Sequence, residues 1–225
     1  MRDHAMVEEG DHVLVGLSGG KDSMILLKAL ADRRSAVPFD FKITAVHVEA
    51  TGIGYHIDKG KLSQFCDSLE VPLLYKAIEP DQKKDPSKAT CFICSWTRRK
   101  VLFDLTKELN CNKLALGHHR NDAVETLLLN MIYHGSISSL PYSLKMFEGR
   151  IYLIRPLMDL DERLLSDYAA LNNLVKIEKS CPHEDKTQRE SIAQLIKQVE
   201  KIHGTGPYNM FKSMRKVFTE YLPHG

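Results

Sequence analysis

The sequence predicts an α/β fold in which a parallel sheet is covered by helices on both faces and followed by a small helical C-terminal extension. Short apolar runs alternate with segments at helical spacing along the 225 residues, which is the pattern of βαβ units. The composition, 43% hydrophobic and 27% charged residues, is sufficient for one sizeable core. Polar clusters also follow several predicted strands, at the edge where parallel sheets bind ligands.

The hydrophobic periodicity places each element in order. We expect strands at residues 13–17, 41–48, 71–78, 113–117 and 151–157. We expect helices at about residues 21–32, 58–69, 95–109, 123–133, 161–172, 186–202 and 207–219. Polar, Pro- and Gly-containing residues predict a mobile loop at 79–90 and a second loop at 134–150. Residues 1–175 are interpreted as one domain and residues 176–225 as its helical extension.

The turn Ser-Gly-Gly-Lys-Asp-Ser, residues 18–23, joins the first strand to the first helix. Backbone N–H groups of such a turn and the positive end of the helix form an anion site that suits phosphate. Lys21 adds a positive charge, and Ser18 and Ser23 add hydroxyl donors. The turn is not a Walker A loop, because Asp22 follows the lysine where that loop needs Ser or Thr, and the dinucleotide fingerprint is also missing.

Further polar residues end the other strands. His47 to Glu49 follow the second strand, and His118 to Asp122 follow the fourth. Asp122 suits Mg²⁺ as a hard oxygen ligand, or it caps the next helix, as Asn121 also could. Arg155 ends the fifth strand, where it either reaches a phosphate or forms a surface ion pair.

The five cysteines favour metal or redox chemistry over a disulfide framework. Cys91 and Cys94 have the spacing of a metal or redox pair, and Cys181 is the natural third thiolate. Three thiolates hold a four-iron cluster with one iron left open, or zinc if His183 completes the set. The remaining cysteines, Cys66 and Cys111, are predicted to be core thiols.

Net charge and hydropathy restrict partners only weakly. A net charge of +2 and a pI of 8.2 neither require nor exclude nucleic acid. Basic residues near the cysteine pair and on the last helix are candidate RNA contacts, or simply solvated faces: Arg98, Arg99, Lys212 and Arg215. The N-terminus shows no apolar signal region, and no segment approaches the roughly 18 apolar residues of a membrane helix, so we expect a cytoplasmic protein without a membrane partner.

The loop at residues 18–23 resembles the PP-loop of the N-type ATP pyrophosphatases. Together with Cys-x-x-Cys followed by Arg-Arg, with Gly-His-His-Arg-x-Asp-x-x-Glu-Thr-Leu and with Ile-Arg-Pro-Leu, it resembles the tRNA 2-thiocytidine synthetase family over about residues 7–215. This resemblance implies a Rossmann-like, HUP-type PP-loop domain. Two departures are an asparagine at residue 121, where the family often has an aspartate, and the lack of a second cysteine near Cys181.

The resemblance also implies a reaction. ATP would adenylate the 2-oxo oxygen of an anticodon-loop cytidine, at position 32, and sulfur would then replace that oxygen. The implied ATP contacts are Leu17, Ser18, Gly19, Gly20, Lys21, Asp22, Ser23, Val46, His47, Val48, Gly117, His118 and Arg155. By position, Cys91, Cys94 and Cys181 would hold a 4Fe-4S cluster and Asp122 would hold Mg²⁺; with Lys21 these are the expected catalytic residues.

The implied partners are tRNA, a sulfur donor such as a cysteine desulfurase, and a second copy of the chain. Three alternatives remain open from the sequence. A PP-loop amidoligase would need none of the three cysteines. A cluster-free thiolase would form a persulfide on one cysteine, and a zinc-stabilised nucleotide-binding protein would have no thiolase activity.

Overall fold

The structure is a computed structural model, and it describes residues 6–52, 55–80, 90–174, 177, 179–180 and 188–223. Its strands are β1 (His12–Gly16), β2 (Lys42–Ala50), β3 (His56–Ile57), β4 (Leu73–Ile78), β5 (Lys113–Ala115), β6 (Ser143–Met146), β7 (Ile151–Ile154) and β8 (Lys179–Ser180). Its helices are α1 (Lys21–Ala36), α2 (Lys59–Ser68), α3 (Thr90–Glu108), α4 (Arg120–His134), α5 (Glu162–Leu171), α6 (Gln188–Ile202) and α7 (Gly206–Ser213), with 3₁₀ turns at Phe147–Gly149 and Thr219–Tyr221.

The main sheet has six strands in the order β4-β2-β1-β5-β7-β6. All neighbours are parallel except β6, which pairs antiparallel with β7 at the edge. A separate two-stranded antiparallel ribbon joins β3 to β8, with His56 opposite Ser180. The predicted α/β class is confirmed, and the carboxyl ends of β1 and β5 lie side by side as a ligand site requires.

The central strands are buried because helices cover both faces of the sheet. Val13 and Val15 of β1 pack with the helices α1, α2 and α5, whereas Leu14 between them packs with α3. All three side chains are fully buried. The apolar run of β1 therefore reads as continuous rather than alternating, as expected for an interior parallel strand.

The C-terminal helices pack on α4. One apolar cluster joins Val124 and Leu128 of α4 to Ile192 and Ile196 of α6 and to Phe211 of α7. The division of the chain at residues 175 and 176 stays a prediction. None of the described helices is long and apolar enough to cross a membrane.

Several predicted boundaries were wrong. The segment 134–150 was predicted to be a loop, but it contains β6, which pairs with β7 at the edge of the sheet. Because β6 is short and exposed, its sequence has no pattern of buried apolar residues. Helix α3 begins at Thr90, before the predicted start at Ser95, so the cysteine pair lies inside the helix. Helix α7 ends at Ser213, before the predicted end at 219. Beyond it, the backbone N–H groups of Arg215 and Lys216 donate to the carbonyls three residues earlier, which makes tight turns in place of the α-helix. Most of the loop predicted at 79–90 lies outside the described residues, as do Cys181 and His183.

Candidate active site

The phosphate loop, residues 18–23, connects β1 to α1 through a turn held by its own serines. The Ser23 hydroxyl donates to the carbonyl of Gly20 at 2.9 Å and accepts the backbone N–H of Ser18 at 3.1 Å. Gly19 has a φ of +77°, which glycine adopts without a steric penalty. The loop thus places consecutive N–H groups at the positive end of α1, as an anion site needs.

The loop between β5 and α4 packs directly against this phosphate loop. A Cβ at Gly117 would lie 3.0 Å from the carbonyl oxygen of Asp22, so a larger residue would push the two loops apart by a few tenths of an ångström. Next to it, the Nδ1 atom of His118 is buried and has no hydrogen-bond partner among the described residues. Burial lowers the pKa of His118 to about 4, so the ring is neutral at pH 7.

Two side chains in the first turn of α4 form hydrogen bonds at the starts of helices. The Asp122 carboxylate accepts the backbone N–H of His119 at 2.8 Å and thereby caps α4. The Oδ1 atom of Asn121 accepts the N–H of Glu162 at 3.2 Å, at the start of α5. The asparagine therefore joins the start of α5 to the first turn of α4.

Helix α3 turns one face toward the same site. Cys91, Cys94, Arg98 and Leu102 follow one another at intervals of three or four residues and all line one cavity. Cys91 is exposed and Cys94 is 8% exposed. Cys91 and Cys94 are three residues apart near the start of α3, so the two thiols lie one turn apart on the same face of the helix.

Arg155 follows β7 and is only 5% exposed. Its Nη1 donates to the carbonyl of Pro141 at 2.6 Å, and its Nε is buried without a partner among the described residues. Burial, and secondarily the neighbouring Arg99, lowers the pKa of Arg155 to about 10. The alternative of a surface ion pair is wrong, since a buried guanidinium at a cavity wall is suited instead to an anion.

These groups surround one cavity of about 740 Å³. It brings together predicted ATP contacts, the cysteine pair and two predicted RNA contacts. The predicted residues that line it are Ser18, Gly20, Asp22, Ser23, Cys91, Cys94, Arg98, Arg99, Gly117, His118, Asp122 and Arg155. The loop that would activate an oxygen and the thiols that would deliver sulfur therefore open on one space.

Other predicted ATP contacts are not among the described residues that line the cavity, and their contact with a nucleotide stays a prediction: Leu17, Gly19, Lys21, Val46, His47 and Val48. His47 has a supporting position. Its Nδ1 donates to the carbonyl of Leu17 at 2.8 Å, and its ring stacks at 6.0 Å on Tyr55, which does line the cavity.

Sequence reasoning missed Tyr55, Arg189 and Glu162. The guanidinium of Arg98 lies 4.7 Å from the Tyr55 ring centre. Arg189, at the start of α6, lines the cavity and lies 3.9 Å from Glu125. No local pattern marks these residues, because each reaches the site through the packing of distant segments.

The predicted RNA contacts divide into two groups. Arg98 and Arg99 line the cavity, whereas Lys212 and Arg215 lie at the end of α7 and beyond it. Arg215 pairs with Asp159 at 3.1 Å, and Lys212 is exposed. None of these positions tests the RNA assignment, which stays a prediction.

One group of side chains offers ligands for a cation. Asp22, His119 and Glu162 each have a ligand atom within 4.8 Å of the others. Asp122, the predicted Mg²⁺ ligand, lies beside this group, with its Oδ2 at 3.5 Å from the Nε2 of His119. The carboxylate oxygens suit Mg²⁺, which prefers oxygen ligands, and in the structure Asp22 and Glu162 are paired with the Lys21 ammonium.

Comparison with known proteins identifies the family. A family model described as a PP-loop domain matches residues 2–199. The tRNA-cytidine(32) 2-sulfurtransferase of Polynucleobacter asymbioticus is 34% identical over 233 residues, covering 99% of this chain and 75% of the relative. This chain belongs to the PP-loop tRNA-cytidine(32) 2-sulfurtransferase family. Another member of the family, from Pelobacter propionicus, is 35% identical over 228 residues, covering 98% of this chain and 83% of its own length.

The predicted family is thus confirmed. Among solved structures, the U34-tRNA thiolase NcsA from Methanococcus maripaludis, which contains a 4Fe-4S cluster, superposes with a TM-score of 0.79. The two chains are 22% identical, and the match covers 97% of this chain and 74% of the other. At that identity the likeness concerns the fold, and it confirms the predicted PP-loop architecture for this member of the sulfurtransferase family.

Proposed function

We propose that this protein is an ATP-dependent tRNA sulfurtransferase that replaces the 2-oxo oxygen of an anticodon-loop cytidine, at position 32, with sulfur. The observation that carries the proposal is the single cavity lined by both the phosphate loop and the cysteine pair. Relatives that bear the name of this activity align along nearly the whole chain.

The first step requires a leaving group on the base. The 2-oxo oxygen attacks the α-phosphorus of ATP, so that an O–P bond forms and pyrophosphate leaves. The N–H groups of residues 18–23 suit the departing pyrophosphate, and the buried guanidinium of Arg155 suits the charge on the α-phosphate. In the second step sulfur at the sulfide level forms a bond to C2, and the C–O bond to AMP breaks.

The cysteines support an iron-sulfur group. Cys91 and Cys94 lie one turn apart on α3 and face the cavity, which is a suitable donor set for a thiolate-bound cluster. Cys181 lies outside the described residues, but it follows β8 directly in sequence, and β8 pairs with the strand next to Tyr55 at the cavity wall. A 4Fe-4S cluster held by these three thiolates would supply an iron that carries sulfur.

Further elements of the proposal concern metal and partners. Mg²⁺ would accompany the phosphates near Asp122, and tRNA would meet Arg98, Arg99, Lys212 and Arg215. We also propose that a cysteine desulfurase or a similar protein donates the sulfur, that the chain forms a homodimer, and that it is located in the cytoplasm. Native mass spectrometry of the protein with and without tRNA measures both the subunit number and the RNA complex.

The test compares paired cysteine variants. We expect the double variant Cys91→Ser/Cys94→Ser to lose thiolation of tRNA while it still binds ATP, because the phosphate loop is unchanged. Cys111→Ala is the matched control, since that thiol is 5% exposed and does not line the cavity. Nucleoside mass spectrometry after anaerobic incubation with ATP, tRNA and sulfide provides the measurement.

The same experiment separates the alternatives. Full thiolation by the double variant would refute the proposal. Product formation with ammonia in place of sulfide would identify an amidoligase. An active protein without iron would favour a persulfide mechanism, and zinc without pyrophosphate release would favour a nucleotide-binding protein.

A further inference from the structure

The lysine of the phosphate loop is paired with two carboxylates. Its Nζ lies 2.7 Å from Oδ1 of Asp22 and 2.6 Å from Oε1 of Glu162. Lys21 is not among the described residues that line the cavity, although Ser18, Gly20 and Asp22 of the same loop are. In the structure the charge that should meet a phosphate is therefore neutralised by two carboxylates.

Glu162 links two loops of the site. It is the first residue of α5, and its second oxygen lies 3.1 Å from Nε2 of His119. Its backbone N–H donates to Asn121 at 3.2 Å. One carboxylate thus contacts the phosphate loop through Lys21 and the loop before α4 through His119.

A triphosphate can replace Glu162 as the partner of the Lys21 ammonium. Partial burial disfavours its charge, but the hydrogen bonds to Asp22 and Glu162 outweigh this effect and raise the pKa of Lys21. The side chain of Glu162 is 50% exposed, so breaking its ion pair costs little. A triphosphate carries more negative charge than one carboxylate and attracts the same ammonium more strongly.

We propose that Glu162 is a positioning residue that holds the Lys21 ammonium in an ion pair until the phosphates of ATP take it over. The inference rests on the proposed ATP-dependent function and adds a residue to it. When ATP leaves as AMP and pyrophosphate, Lys21 returns to Glu162. The exchange couples α5 to the occupancy of the phosphate loop.

The test uses a double-mutant cycle with ATP binding as the readout. Glu162→Gln keeps the size of the side chain and removes its charge, so Lys21 becomes available without breaking an ion pair. We expect Kd for ATP to fall about three-fold, the value of one half-exposed ion pair. In a Lys21→Met background the same substitution should have no effect, because the residue through which it acts is gone. Equilibrium dialysis with labelled ATP, without added divalent cation, measures all four proteins, so that Glu162 as a candidate cation ligand does not affect the readout.

Two controls separate the possible outcomes. Asp167→Asn removes an exposed carboxylate from the same helix and should leave Kd unchanged. Unchanged or weaker ATP binding by Glu162→Gln would overturn the inference, and so would tightening that persists in Lys21→Met, which would reveal simple charge repulsion. A wild-type protein that binds no ATP would overturn the proposed function as well, whereas normal wild-type binding with a failed cycle would overturn only the role of Glu162.

Discussion

Gly19 controls the shape of the phosphate loop through its backbone. Its φ of +77° belongs to a region that other residues enter at a cost of about 1–2 kcal/mol. A Cβ at this position would also overlap the Cδ1 of Ile57, which follows Tyr55 beside the cavity. The conformation therefore favours glycine, and any other residue would also displace the end of the Ile57 side chain.

We expect Gly19→Ala to weaken ATP binding about ten-fold, because alanine is strained at this φ and relaxation of the loop displaces the N–H groups that meet the phosphates. Gly10→Ala is the matched control. Gly10 has a similar φ of +79° but no atom within 4 Å of the added methyl group, so only stability should change, by about 1 kcal/mol. ATP titration monitored by calorimetry gives the comparison, and wild-type affinity in Gly19→Ala would contradict the prediction.

Single buried atoms also mark the site. The Nδ1 of His118 and the Nε of Arg155 are buried at the cavity without partners among the described residues. Leaving such groups unpaired is costly, so native proteins retain them chiefly where a ligand or a water completes the hydrogen bonds. Their position supports the nucleotide role proposed for both residues.

At the scale of elements, a buried ion pair connects two central strands at the end of the sheet opposite the site. Nζ of Lys113, in β5, lies 2.8 Å from Asp11, just before β1, and the two side chains are 8% and 6% exposed. Asp11 also accepts a hydrogen bond from Asn112 at 2.7 Å. These contacts align β1 with β5, the strands whose opposite ends carry the phosphate loop and the loop before α4.

We expect Asp11→Asn to reduce the free energy of unfolding by about 3–5 kcal/mol, because it leaves the Lys113 ammonium buried without its counter-ion. Adding Lys113→Met should recover part of the loss. Asp32→Asn serves as the control, since it breaks an exposed pair with Lys28 and should cost less than about 0.5 kcal/mol. Urea unfolding at pH 7 measures each variant; equal losses for Asp11→Asn and Asp32→Asn would contradict the prediction.

Helix α3 shows how one helix can combine two chemistries. Because it begins at Thr90, its cavity-facing side runs from the cysteine pair through Arg98 to Leu102. The same face is thus thiol-bearing at one end, cationic in the middle and apolar beyond. This order suits sulfur delivery beside an anionic intermediate.

At the scale of the whole molecule, buried histidines predict a loss of stability in acid. Burial lowers the pKa of His12, His47 and His118 below 6.5, the last to about 4. The unfolded chain therefore binds more protons than the folded chain below pH 6.5. The free energy of unfolding should be fully retained above that pH and fall as the pH decreases toward 4.

Each histidine contributes a slope of up to about 1.4 kcal/mol per pH unit in this range. His47→Asn can still donate to the carbonyl of Leu17 but does not titrate, so we expect a shallower loss between pH 6.5 and 5. His203→Asn changes an exposed histidine and should leave the slope unchanged. Urea unfolding across this pH range gives the slopes, and identical slopes for the wild type and His47→Asn would contradict the prediction.

The sequence by itself determined the five main parallel strands, the phosphate loop and the family. These features are local: a buried strand requires a continuous apolar run, and a phosphate loop requires contiguous residues such as Ser18 to Ser23. The core positions of Cys66 and Cys111 were likewise predictable, because Cys66 lies on an apolar helical face and Cys111 borders a strand. Burial raises the pKa of the two thiols to about 12 and about 11.

Only the tertiary structure decided which of these features meet. In the structure the cysteine pair lies on α3, Arg155 is buried, and Arg189 lines the cavity. It also places Oε1 of Glu162 2.6 Å from Nζ of Lys21, although the two residues lie far apart in the sequence. Such contacts depend on how distant elements pack, and spacing along one chain carries no information about that packing.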